Sequence, residues 1–80
     1  MAEIIWSTPA MDDLEVIHDF ISRESPQFAQ KTIESLFERV KLLIRFPKMG
    51  RYVPEYQRKV VRELIEGNYR IFYKVVRANI

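Results

Sequence analysis

Eighty residues, 48% of them hydrophobic and 30% charged, specify one small folded domain spanning 1–80 with a modest core; they exclude a two-domain cleft, a disordered tail and a repeat array. There is no cysteine and only one histidine, His18, so disulfides, thiolate chemistry and a metal centre are not expected, nor is any other cofactor. The net charge of +2 hides a division: residues 1–40 carry three Lys/Arg against eight Asp/Glu, whereas residues 41–80 carry ten against three, so the second half is the one that attracts anions.

At the start, "EIIWS" (3–7) is β-prone and is expected to form a first strand. The N-terminus has neither a basic region nor a long apolar run, and no apolar stretch is long enough to span a bilayer. The expectation is therefore a soluble, cytoplasmic protein with no membrane partner. Thr8-Pro9 then reads as a Thr N-cap followed by Pro at the first helical position, with Asp12 and Asp13 near the positive helix end. Ala10, Leu14, Ile17 and Ile21 recur at three- and four-residue spacing, with Met11 and Phe20 beside them, and predict a helix to about Arg23. Ser25-Pro26 repeats the start signal. Ala29, Ile33, Leu36, Phe37, Val40, Leu43 and Ile44 mark a second, longer stripe that must stop at Phe46, the residue before Pro47. So short a connection makes the two helices antiparallel.

After "PKMG" the period changes. Residues 60–66 and 69–76 read as strands joined by a two-residue turn at Gly67-Asn68, and "RYVPEYQRK" (51–59) reads as extended or looped, with a short strand near 51–53. Pro54 keeps that stretch out of a sheet centre. The predicted fold class is α+β: a small antiparallel sheet with an N-terminal strand and a helical hairpin packed on one face, in the order β-α-α-β-β. Alternation along the last strand places Ile71, Tyr73 and Val75 toward the helices and Arg70, Phe72 and Lys74 on the other face. Parity on the preceding strand depends on the turn. A strict two-residue loop puts Glu63 beside Arg70 and Arg62 under the helices, and a three-residue loop reverses this.

The order and spacing of several short motifs carry a resemblance. Trp6 followed by "A..DL..I.DFI" (Ala10, Asp13, Leu14, Ile17, Phe20, Ile21), "FPKMGR" (46–51), "VREL" (61–64) and "YRIFYKV" (69–75) together span nearly the whole chain. They make it similar to the RelE/ParE superfamily of type II toxin–antitoxin modules, often labelled plasmid stabilisation proteins, with the first-helix pattern closer to the ParE branch. The resemblance implies a compact growth-arresting toxin neutralised by a cognate antitoxin that wraps around it, alone or in a hetero-oligomer. ParE-like members inhibit DNA gyrase, and RelE-like members cut mRNA on the ribosome. Members also continue past "YKVV" into a further strand, whereas this chain ends at Ile80. The expectation is a C-terminally truncated member whose strand at 69–76 keeps an open edge, free to dimerise or to receive an antitoxin segment.

The chemistry separates these branches. Metal-independent RNA cleavage needs a base for the 2′-hydroxyl, an acid for the leaving oxygen and a cation on the phosphate. Arg62 and Arg70 suit the last role and Glu63 suits a proton-transfer role by type, whereas Tyr73 falls on the core face and His18 on the acidic first helix. Glu63 and Arg70 read equally well as a cross-strand ion pair on the surface. A protein that binds and inhibits needs less: Arg51, Tyr52, Arg58, Lys59, Arg62, Arg70, Phe72 and Lys74 provide an arginine and aromatic anchor patch with surrounding cations for a target or an antitoxin. No helix-turn-helix spacing, zinc ligand set or glycine-rich phosphate loop points to direct reading of nucleic acid.

Overall fold

Each helix begins where a serine side chain substitutes for a missing backbone partner. Ser7 Oγ accepts a hydrogen bond from Ala10 N (3.2 Å) and opens α1 (Thr8–Ser22), while Ser25 Oγ accepts from Phe28 N (3.1 Å) and opens α2 (Pro26–Lys41). The first cap is thus Ser7, one residue earlier than expected: Thr8 and Pro9 already lie inside the helix, and Asp12 and Asp13 fall beyond its first turn. The computed structural model describes residues 3–56 and 59–76. After α2 a 3-10 turn, Leu42–Ile44, completes the helical run, and three strands follow: β1 (Arg51–Tyr52), β2 (Val61–Glu66) and β3 (Tyr69–Lys74). They form an antiparallel sheet in the order β1-β2-β3.

The N-terminal strand does not form. Residues 3–7 lie outside every strand ladder of the described residues, yet their side chains alternate as a strand's would: Ile4 and Trp6 pack inward and Ile5 is 84% exposed. Trp6 meets the Phe37 ring edge-on at 5.0 Å, a contact worth about 1 kcal/mol beyond its buried area. Alternation governs which side chains are buried, but a strand also needs a neighbouring backbone edge in register, and this segment is held by side chains instead.

The helical hairpin is layered, and its two members do unequal work. α2 packs on β2 and buries Ala29, Leu36 and Val40, whereas α1 packs chiefly on α2 and has no fully buried residue. The core lies between the end of α2 and the sheet, where Val40, Leu43 and Leu64 are buried with Ile4, Trp6, Ile71 and Tyr73 against them. Each fully buried aliphatic side chain there contributes about 2 kcal/mol.

The β2–β3 turn decides the parity. Glu66 pairs with Tyr69, so the loop is the strict two-residue Gly67-Asn68, and Gly67 takes a φ of 58° while no other residue of the described chain has a positive φ. That pattern matches a type II′ turn, which asks for glycine at the first central position. Leu64 opposite Ile71 and Arg62 opposite Tyr73 therefore face the helix side, and Glu63 opposite Phe72 and Ile65 opposite Arg70 face away from it. The last strand ends at Lys74, short of the expected Val76, and Val75 is exposed instead of packed against the helices. The expected turn at the chain end, residues 77–80, lies outside the described residues. Among the described residues β3 is laddered on its β2 side alone.

Candidate binding face of the sheet

The side of the sheet turned away from the helices holds a buried carboxylate where an exposed basic anchor patch was expected. Glu63, in the middle of the central strand, has a side chain with 0% exposure. Its neighbours explain how a carboxylate can sit there. Arg51, opposite it on β1, donates from Nε to Oε1 at 2.6 Å; Arg70, diagonally across on β3, donates from Nε and Nη2 to Oε2, both at 2.6 Å. Both oxygens are thus occupied by charge-assisted hydrogen bonds. Loss of water pushes the Glu63 carboxyl up, but the hydrogen bonds from Arg51 and then Arg70 outweigh it, so the group is held below the usual carboxylate range. This is a built core of charge and not the weak surface pair that sequence spacing suggested.

A second carboxylate completes the chain of charges. Val53 O accepts from Tyr56 N at 3.1 Å, closing a four-residue turn with Pro54 and Glu55 at its centre, and Val53 is itself buried and donates to Val61 O at 3.2 Å. The turn swings Glu55 to the remaining nitrogen of Arg70: Nη1 meets Oε2 at 2.8 Å. The Arg70 hydrogen bond lowers the Glu55 pKa, and the bonds to Glu55 and then to Glu63 raise that of Arg70. Arg70 also lies over the Phe72 ring, 4.9 Å from its centroid. Two arginines and two glutamates alternate across the three strands and the Pro54–Glu55 turn, and their formal charges cancel.

On the helix side, Arg62 and Tyr73 do a different job with neutral partners. Tyr73 donates from its hydroxyl to Pro47 O (2.9 Å) and accepts from Gly50 N (2.9 Å). Arg62 donates through Nη1 to Lys48 O (3.2 Å) and Gly50 O (2.8 Å) and through Nη2 to Tyr52 Oη (3.0 Å), with its guanidinium 4.2 Å from the Tyr52 ring centroid. Together they staple the 47–50 loop, the "PKMG" of the sequence, to the sheet. Gly50 is required by this closeness, because a Cβ there would stand 2.6 Å from the Tyr73 hydroxyl and 2.7 Å from Glu63 O.

The structure therefore divides the predicted binding set. Arg51, Arg70 and Phe72 share the outer face, with Arg51 and Arg70 neutralised; Tyr52 and Arg62 are stacked together on the helix side. Lys59 and Lys74 are exposed and have no carboxylate partner among the described residues, and Arg58 lies outside the described residues. Of the three residues suited to cleavage, Arg70 and Glu63 are bonded to each other and Arg62 is on the opposite face. His18 stays on α1, 3.4 Å from Ser22 Oγ. Among the described residues no three His, Cys, Asp or Glu side chains come together as a metal site. Sequence reasoning missed Glu55. The only signal was its place after Pro54, which favours a turn but does not say what the turn reaches. Glu55 and Tyr56 also line an open groove of 540 Å³ together with Val60, Val61, Phe72, Tyr73 and Lys74.

Residues 4–80 match the family described as the ParE toxin of the type II toxin–antitoxin system parDE. The chain is similar to Toxin RelE2 of Caulobacter vibrioides, at 33% identity over 61 residues, which cover 76% of this chain and 69% of that protein. No solved structure matches. Among the described residues no helix is long and apolar enough to cross a membrane.

Proposed function

Because the chain belongs to the ParE toxin family of type II toxin–antitoxin systems, we propose that it arrests growth by binding, with the outer face of the sheet engaging DNA gyrase, until a cognate antitoxin occupies the toxin. Family membership supplies the toxin role and implies the antitoxin. The state of Glu63 carries the binding reading. A general base must come within hydrogen-bond reach of the proton it takes, and this carboxylate is enclosed, with both oxygens engaged by guanidinium groups. An exposed aromatic and partly exposed arginines, beside lysines with no carboxylate partner among the described residues, suit an anchor patch better than a proton-transfer site. Localisation in the cytoplasm, where gyrase works, follows from this reading. The antitoxin's place is the outer edge of β3, where a further strand can add to the ladder.

The similarity to Toxin RelE2 favours a second reading, ribosome-dependent mRNA cleavage. Purified protein added to a gyrase cleavage-complex assay and, in parallel, to a translating ribosome preparation separates the two. The binding reading expects trapped gyrase–DNA breaks with intact mRNA, and cut mRNA with unaffected gyrase overturns it. Expression of the chain alone is expected to stop growth, and co-expression of its cognate antitoxin to restore it.

A further inference from the structure

α1 has apolar side chains on both of its faces. Leu14, Ile17 and Ile21 are half-buried on the side that packs on α2, but Val16 and Phe20, four residues apart and so one above the other, are 66% and 69% exposed. Across the α1–α2 connection Phe28 is exposed as well, and the two aromatics border an open groove of 520 Å³ lined also by Ile21, Arg23, Glu24 and Ser25. A single exposed hydrophobic residue is ordinary, whereas a strip of them bordering a groove marks a contact site. Carboxylates surround this one: residues 12–24 carry Asp12, Asp13, Glu15, Asp19 and Glu24 against one arginine, Arg23. Such a rim repels phosphate backbones and anionic lipid, and selects a partner that is apolar and cationic.

The chain itself carries that chemistry at residues 41–49. Leu42, Phe46 and Met49 are exposed there, interleaved with Lys41, Arg45 and Lys48. Among the described residues Arg45 and Lys48 have no carboxylate partner, and Lys41 reaches only the exposed Glu38, at 3.9 Å. Phe46 N donates to Leu42 O (2.9 Å) and Met49 N to Phe46 O (3.1 Å), so the backbone makes two successive turns with Phe46 at their corner. Tyr73 and Arg62 hold the adjoining Pro47, Lys48 and Gly50 backbone from the sheet, so little freedom is left to lose when the corner meets a partner. Both apolar strips are open to solvent in a single copy, so neither covers the other within it.

We propose that the two strips bind each other between copies of this chain: Phe46 of one copy enters the groove between Phe20 and Phe28 of another, with Arg45 and Lys48 against the acidic rim. The contact joins two different surfaces and is therefore heterologous. So small a contact belongs to the weak, transient class. It uses α1 and the 41–49 corner and not the outer face of the sheet, and it stands independently of the gyrase reading.

Sedimentation velocity of the purified 80-residue protein between about 10 μM and about 1 mM, the range of weak association, is the test. Concentration-dependent association is expected, fading as salt rises from about 0.05 M to about 0.5 M and the Debye length shrinks. Phe20→Ser and Phe46→Ser alter exposed side chains, so each is expected to keep its melting temperature. Each alone is expected to lower the association constant about tenfold or more. An equimolar mixture of the two is expected to regain association and to stop at a one-to-one pair, because the intact corner of the first variant meets the intact groove of the second. Should either phenylalanine variant melt early, Arg45→Glu carries the test, since it leaves every apolar side chain in place and is expected to weaken association about threefold. A protein that stays monomeric over the whole range would leave the strip on α1 to a different partner and overturn the proposal. So would unaltered association in either phenylalanine variant, or a mixture no more associated than its components. Growth arrest does not enter the readout.

Discussion

The two faces of the sheet are closed by different physics. Toward the helices, Leu64 and Ile71 meet Val40 and Leu43, and burial of apolar area does the work. Away from them, the corresponding central position is Glu63, and closure depends on two guanidinium groups being present and aimed within hydrogen-bond distance. Apolar packing is indifferent to pH and degrades in proportion to the atoms removed. A buried carboxylate is a contingent arrangement: with both arginines it is held charged, and with one removed it is left partly uncompensated.

The largest effect should come from the apolar side. Leu64→Ala removes a nearly inaccessible side chain from the cluster and is expected to cost about 2–5 kcal/mol, a large part of the stability of so small a domain. Calorimetric or circular-dichroism melting should show this deficit at the same size at neutral and acidic pH.

Arg70→Ala should sharpen the contrast by behaving otherwise. The sequence places Arg70 on the face away from the helices, outside the apolar core; the structure makes it one of two supports of Glu63. A clear fall in melting temperature is expected at pH 7. Because the folded-state pKa of Glu63, like that of Glu55, is lowered, the stability it contributes is complete above the unfolded glutamate value, about 4.3. It is lost as pH falls through the depressed folded value. The gap between wild type and Arg70→Ala should therefore narrow below that point. A gap that stays constant through acid titration would show that Arg70 stabilises by packing and not by charge.

The smallest effect tests the staple. Tyr73→Phe keeps the ring on the core and loses only the hydroxyl that donates to Pro47 O and accepts from Gly50 N. It is expected to cost about 1–2 kcal/mol, and hydrogen exchange should speed at Gly50 before it does at Leu64. Equal acceleration at both would make the loop and the core one cooperative unit.

Much of this architecture is written locally. Both helices, the proline-directed starts, the end of the helical run before Pro47 and the strand pair around Gly67-Asn68 follow from spacing, caps and turn chemistry, each of which acts over a few residues. So did the short β1 strand near 51–53. The parity of Arg62 and Glu63 was half legible: the two consequences could be written down, and only the formed turn chose between them.

What tertiary structure alone decided is what depends on neighbours distant in the chain. Residues 3–7 were β-prone in sequence, and in the fold Ile4 and Trp6 turn inward while Ile5 turns out, but whether that stretch joins a ladder depends on an edge being offered, and it packs on α2 without one. The outward row of Arg51, Arg70 and Lys74 read as a basic patch because sequence counts charges one at a time. Folding brings Glu63 from the central strand and Glu55 from the turn into the same row, cancels two of the cations and leaves the lysines. Residue type sets which charges exist; Coulomb energy and desolvation, which fall steeply with distance and rise with burial, set which of them a partner meets.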